Sequence, residues 1–256
     1  MVQQTSSLIS GEALPHGWRL VVLSEVDSTN DELRRRASEE PFDGLAVVAE
    51  RQTAGRGRRG RAWASPRGNL YLSLRLRQAD SLAETALLSF VSAVALADAI
   101  AELAPQVPLA LKWPNDVLVA GCKVSGILLE SDGPAIIVGI GVNLTEAPEA
   151  TQALYPPTSL RQQGLTVTVA GFAPVFLRHL SERVALWRRG GMAAIRPLWL
   201  ARAHGIGGRL IARLQDGQEL VGFFEDLSPD GALLLRLPTG ELRSILAADV
   251  FFEHQP

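Results

Sequence analysis

Two stretches of this 256-residue chain gather residues whose types and spacing suit the chemistry of anions. The first is QTAGRGRRGRAWASPRGNLYLSL, from Gln52 to Leu74. Between Arg51 and Arg67 stand six arginines and no acid, and Arg56, Arg58, Arg59 and Arg61 are interleaved with Gly55, Gly57 and Gly60. Guanidinium forks and the N–H groups that glycine leaves accessible can wrap a phosphate or a carboxylate. Charge repulsion and glycine entropy predict a segment that is mobile until such an anion arrives, with Trp63 as an apolar wall or lid.

The second stretch, LKWPNDVLVAGCKVSGILLES, holds Lys112, the turn Pro114-Asn115-Asp116, and Lys123. Of 25 cationic residues only these two are lysine, which points to positions that need a compact ammonium. An ammonium, a carboxylate and an amide at one turn suit a nucleotide with its Mg²⁺, an ion that takes few protein ligands; Asn115 and Asp116 are the candidate ligands. A structural salt bridge beside a proline turn would use the same residues.

Smaller signals accompany these. VGIGVNL places Gly139 and Gly141 on one face of an apolar strand and Asn143 at its end, as close approach of a ligand or plain sheet packing would require. Ser28, Thr29 and Asn30 open a helical pattern, either as caps or as a polar end for a ligand head group. His16, His179, His204 and His254 lack metal spacing, Cys122 has no histidine nearby, and neither a Walker A sequence nor Gly-x-Ser-x-Gly occurs. A reaction here would rest on positioning and charge neutralisation.

The elements that must hold these residues follow from periodicity. Trp18–Val26, Leu45–Glu50, Asn69–Leu76 and Leu109–Trp113 read as strands, Val117–Val119 and Lys123–Glu130 as a hairpin turning at Ala120-Gly121, and Ala135–Leu144 as a central strand. Helices are expected after Thr29, where Glu32 has capping-box spacing, and over Leu82–Leu103, Val169–Arg188 and Met192–His204. Gly55-x-Gly57-x-x-Gly60 follows a strand as a dinucleotide fingerprint would. Ser65-Pro66, Arg67-Gly68 and an alternating strand come next, where that fingerprint needs a helix. Past Gly205, short apolar runs divided by Asp216-Gly217, Asp230-Gly231 and Thr239-Gly240 predict a small β-barrel. The expected organisation is a leader over 1–17, an α/β domain over 18–204 with a mixed sheet flanked by helices, and a β-barrel over 205–256.

A net charge of −2 argues against a surface devoted to nucleic acid, and the single cysteine against an intrachain disulfide. No secretory pattern opens the chain, and the apolar run 82–103 is broken by Glu84, Asp98 and Glu102. A soluble cytoplasmic protein, with no membrane association, is the expectation.

Taken in order, STND at Ser28–Asp31, GRGRRGRAW at Gly55–Trp63, KWPND at Lys112–Asp116, GCKVSGIL at Gly121–Leu128 and GIGVN at Gly139–Asn143 resemble the biotin protein ligases. The resemblance extends into the C-terminal segment. It implies a fold like the class II synthetases and biotin–lipoate ligases with an SH3-like C-terminal barrel. It also implies two steps: biotin and Mg·ATP give biotinyl-5′-AMP, and the biotinyl group then passes to a lysine of a biotin carboxyl carrier domain of a biotin-dependent carboxylase. It places Ser28, Thr29, Asn30, Gln52, Arg56, Arg58, Lys123 and Gly126 around biotin. Arg56, Arg58, Arg59, Arg61, Trp63, Lys112, Asn115 and Asn143 fall around the nucleotide, with Asn115 and Asp116 near Mg²⁺. Lys123 is implied to bridge carboxylate and α-phosphate, Arg58 to retain the intermediate, and Asp116 to orient the acceptor lysine. About 17 residues precede the first expected strand, too few for the helix-turn-helix of some members, so no specific DNA binding is expected. The related lipoate or octanoate ligases, a nucleic-acid-binding protein using the arginine loop, and a homodimer through a sheet edge stay open.

Overall fold

Strands β1 (Arg19–Leu23) and β2 (Leu45–Ala49) run parallel because helix α1 (Thr29–Glu39) returns the chain between them. The computed structural model describes residues 18–39, 44–77, 86–149 and 155–252. The expected leader, residues 82–85 of the expected second helix, and His254 lie outside them. Strand β3 (Leu70–Arg77) joins β2 antiparallel, and α2 (Leu88–Leu103) follows. Strands β4 (Leu109–Lys112), β5 (Asp116–Val119), β6 (Cys122–Asp132) and β7 (Ala135–Val142) complete a seven-stranded sheet in the order β1-β2-β3-β7-β6-β5-β4. This is the expected mixed sheet: one parallel pair, and antiparallel ladders elsewhere. The β5–β6 hairpin turns at Ala120-Gly121, both at positive φ (49° and 76°), the backbone that a two-residue hairpin loop demands.

Alternation decides what each face of the sheet does. Leu70, Leu72, Leu74 and Leu76 of β3 and Ile136, Val138, Ile140 and Val142 of β7 point into the main core. There they meet α2, buried nearly all round, and α3 (Val169–Leu200). Helix α3 breaks at Gly191 (φ 58°), where the sequence led us to expect two helices. On the opposite face Val47 and Ile137 pack with Leu33 of α1. Farther along β7 that face carries only Gly139 and Gly141, which leaves a trough in the sheet.

The C-terminal strands β8 (Arg209–Arg213), β9 (Glu219–Leu227), β10 (Leu233–Arg236), β11 (Leu242–Ile245) and β12 (Asp249–Phe252) form an antiparallel sheet in the order β11-β10-β9-β8-β12. No ladder joins β11 to β12 among the described residues, so the expected barrel is present as an antiparallel sheet without closure. Trp199 at the end of α3 meets Phe90 of α2 and Phe224 of β9 edge-on, with centroids 5.5 and 6.4 Å away. The Trp113 indole N–H donates to the Gly231 carbonyl at 3.0 Å. These contacts seat the second sheet against the first. No helix among the described residues is long and apolar enough to cross a membrane.

Candidate active site

The β1–β2 pairing runs on past the strands and sets the first wall. A parallel bridge joins Val26 to Gln52, and the Thr53 and Ala54 N–H groups donate to the Val26 and Asp27 carbonyls. Gln52 is thereby brought against the start of α1. Its Oε1 accepts from the Thr29 backbone N–H at 2.8 Å and the Thr29 hydroxyl at 3.0 Å, while its Nε2 donates to Ser65. The expected capping box does not form, because Glu32 instead holds Arg35 and Arg36. Behind this row, the Ser73 hydroxyl on β3 lies 2.7 Å from Thr29 Oγ1 and 2.5 Å from Asn30 Oδ1. Asn30 Nδ2 donates to Glu130. Ser28, Thr29, Asn30 and Ser73 are all buried, so a bound polar group would meet oriented partners and little water.

The trough explains the glycines. A Cβ at Gly139 would stand 2.5 Å from Asn30 Oδ1, and one at Gly141 would stand 2.5 Å from the Trp63 ring. Gly126, paired with Gly141 across the β6–β7 ladder, also lies under that ring. Trp63 Nε1 is buried without a hydrogen-bond partner. At both positions the close neighbour is a side chain of the chain itself, Asn30 of α1 at Gly139 and Trp63 of the loop at Gly141.

Over the trough lies the arginine loop. It begins as a strand end and turns through a short 3-10 segment, Arg58–Gly60, so the dinucleotide fingerprint is absent as expected. The loop closes on itself through Gly57 N–H donating to the Arg61 carbonyl. Acids of the chain meet three of its arginines. Arg56 forks onto Asp31 at 2.6 and 2.7 Å, and Arg59 and Arg61 both reach Asp249. Arg58 instead donates to Asn115 Oδ1 at 3.0 Å, and burial pushes its guanidinium below its ordinary value.

The two lysines meet at one acid. Lys123 Nζ stands 2.7 Å from Asp116 Oδ1 and Lys112 Nζ stands 4.0 Å from Oδ2. The N–H geometry still leaves Asp116 Oδ1 without a hydrogen bond. Lys112 is buried, lies 4.7 Å over the Tyr155 ring, and is held below the usual lysine range by desolvation. The expected Mg²⁺ pair does not fit this arrangement. The Asn115 oxygen accepts from Arg58, and its Nδ2 donates to the Ile127 carbonyl. Asp116 already stands between two ammonium groups, and no cluster of three metal-ligating side chains exists among the described residues. Asn143 offers a buried Oδ1 with no partner, its Nδ2 being fixed by the Thr158 carbonyl.

These groups surround one cavity of about 590 Å³. Of the residues that the resemblance placed around biotin, the nucleotide and Mg²⁺, Arg59 lies off its lining and all the others line it.

Residues 22–144 match the biotin/lipoate A/B protein ligase family, and residues 206–253 match the biotin protein ligase C-terminal domain. A biotin–[acetyl-CoA-carboxylase] ligase of Paracoccus denitrificans is 44% identical over 246 residues, covering 90% of this chain and 99% of that one. The chain belongs to the biotin protein ligase family.

The bifunctional ligase/repressor BirA of Escherichia coli is 32% identical over 226 residues, 86% of this chain and 70% of BirA. The biotin protein ligase of Aquifex aeolicus, solved in complex with biotin and ATP, superposes with a TM-score of 0.81 at 28% identity, over 93% of this chain and 99% of that one. In this biotin protein ligase family member, the sequence reading had passed over Tyr155 and Asp249, which both line the cavity. Tyr155 lies within a proline-rich connection, Pro148–Thr158, that carries no periodic signal. Asp249 belongs to a different sheet and is separated from Arg59 by 190 positions.

Proposed function

We propose that this chain activates biotin with ATP and transfers the biotinyl group to a lysine of a biotin carboxyl carrier domain. The observation that carries the reading is the placement of the arginine loop across the glycine trough, between the Thr29–Gln52 polar wall and the two lysines. A small neutral polar head group suits the wall. The apolar trough and Trp63 suit a ring and chain, and the cations suit a carboxylate meeting phosphates.

In the first step a biotin carboxylate oxygen attacks the α-phosphorus of ATP and pyrophosphate leaves. Anion approaches anion, so the barrier is largely electrostatic. Lys123 and Arg58 neutralise the two reactants, and Lys112 faces the polyphosphate. Asn115 and Asp116 act here as partners of Arg58 and Lys123, and a Mg²⁺ carried by ATP would lower the charge of its phosphates. Asn143 Oδ1 is an acceptor, so it suits a nucleotide hydroxyl or amine better than a phosphate oxygen. In the second step the acceptor amine attacks the acyl carbonyl and AMP leaves. That amine arrives protonated, and Asp116 is the carboxylate placed to orient it and take its proton.

ATP–pyrophosphate exchange with biotin, lipoate or no acid tests the reading. Exchange dependent on biotin supports it, exchange with lipoate moves the chain to the sister activity, and no exchange overturns it. A nucleic-acid role for the loop is disfavoured because Arg56, Arg59 and Arg61 are paired with acids of the chain itself.

A further inference from the structure

Asp249 opens β12 in the C-terminal sheet, yet its carboxylate serves the arginine loop that spans the other sheet. Arg59 Nη1 donates to Oδ2 at 2.5 Å, and Arg61 Nη2 lies 3.1 Å from Oδ2 and 3.3 Å from Oδ1. The opposite side of the loop is tied to α1 by the Arg56–Asp31 fork. Between the two ties Arg58 reaches across the cavity to Asn115, and Arg59 is the loop arginine that lies off the lining. Arg59 adopts φ 57°, a left-handed backbone that disfavours an ordinary side chain and turns its guanidinium away from Arg58 toward β12. Arg59 and Arg61 therefore meet one acid at the edge of the cavity, while Arg58 is held by Asn115. Arg59 or Arg61 can turn to a bound phosphate only by giving up its contact with Asp249.

We propose that Asp249 is the positioning residue by which the C-terminal sheet clasps the arginine loop shut over the acyl-adenylate, so that retention of the intermediate depends on both sheets. The proposal rests on the adenylate reading above. It gives Arg59 and Arg61 the task of closure and leaves direct contact with the mixed anhydride to Arg56 and Arg58. Closure must also be reversible, since ligands have to enter. A half-exposed ion pair is weak enough to open and is screened by salt.

The test compares the unmodified protein with Asp249→Asn, Asp249→Glu and Arg59→Gln. Biotin-dependent ATP–pyrophosphate exchange is measured first, and then the release rate of pre-bound biotinyl-5′-AMP at low and high salt. The expected result is release about tenfold faster in Asp249→Asn and in Arg59→Gln, with Asp249→Glu close to the unmodified rate. The double variant Asp249→Asn/Arg59→Gln should be no faster than Asp249→Asn, which already removes both arginine contacts. Rising salt should speed release from the unmodified protein and leave Asp249→Asn little changed. If Asp249→Asn fails to fold, Arg59→Gln reads the same clasp from its other side. Unchanged release with normal exchange, or additive effects in the double variant, overturns the clasp alone. No biotin-dependent exchange in the unmodified protein overturns the adenylate reading and the clasp with it.

Discussion

The Trp63 indole fills the space that a side chain at Gly141 would need: a Cβ there would come within 2.5 Å of Trp63 Cε2 and 2.6 Å of Nε1. A residue of the loop and a residue of the central strand thus define each other's identity. Gly141→Ala should push the indole out of the trough and open the biotin wall. The expected loss in kcat/KM for biotin is about tenfold or more, with about 1–3 kcal/mol of stability lost to overpacking. Exchange kinetics at varied biotin, set beside urea unfolding, check this; an unchanged KM would mean that the trough does not hold biotin.

Lys123→Arg should cost the first step about a hundredfold, because a planar fork cannot sit between carboxylate and phosphate as a compact ammonium does. Asp116→Asn should slow transfer to the carrier more than it slows exchange. Single-turnover measurements separate the two steps, and equal losses in both would remove the proton-accepting role from Asp116.

Arg58→Gly removes the loop arginine that reaches Asn115 across the cavity. Adenylate synthesis should persist while the intermediate leaks into solution. Free biotinyl-5′-AMP is the readout, and its absence together with normal retention would refute the assignment.

Ser73 is fully buried and bonded to Thr29 and Asn30. Ser73→Ala should cost about 1–3 kcal/mol by leaving polar partners unmatched. It should also raise KM for biotin more than KM for ATP, since the row it supports lies on one side of the cavity. Steady-state kinetics with each substrate varied in turn decide the point.

Acid should loosen the helix that carries this wall. The Arg35 hydrogen bond holds Asp27 down from 3.8 to about 2, and Arg56 holds Asp31 below its ordinary value. Both groups bind fewer protons folded than unfolded. Their stabilisation is complete above the ordinary value of 3.8 and is lost as pH falls below it toward about 2. Urea midpoints across that window should decline, and Asp27→Asn should flatten part of the decline.

Much of this was legible along the chain. Binary patterns located the strands, because a sheet with one buried face forces alternation, and glycines at Gly121 and Gly217 marked turns that need positive φ. The arginine loop, the lysine pair and the GIGVN strand stood out because their residue types are poor choices for mere packing. Less legible was the start of α1. Thr29 and Glu32 had the spacing of a cap, but Thr29 was drawn to Gln52, which only folding brings near, and Glu32 to Arg35 and Arg36 one turn on.

By itself the sequence determined the order of elements, the face of each strand, and which residues bear charge beside glycine. Those properties are local: they depend on side-chain period, backbone conformation and chemistry within a few positions. The tertiary structure alone decided which cation meets which anion. Asp249 clasps Arg59 and Arg61 across two sheets, Arg58 rather than Arg59 turns inward, and Asn115 is taken by Arg58 rather than left for a metal. An ion pair depends on distance in space, and nothing in the spacing of residues 59 and 249 along the chain records it.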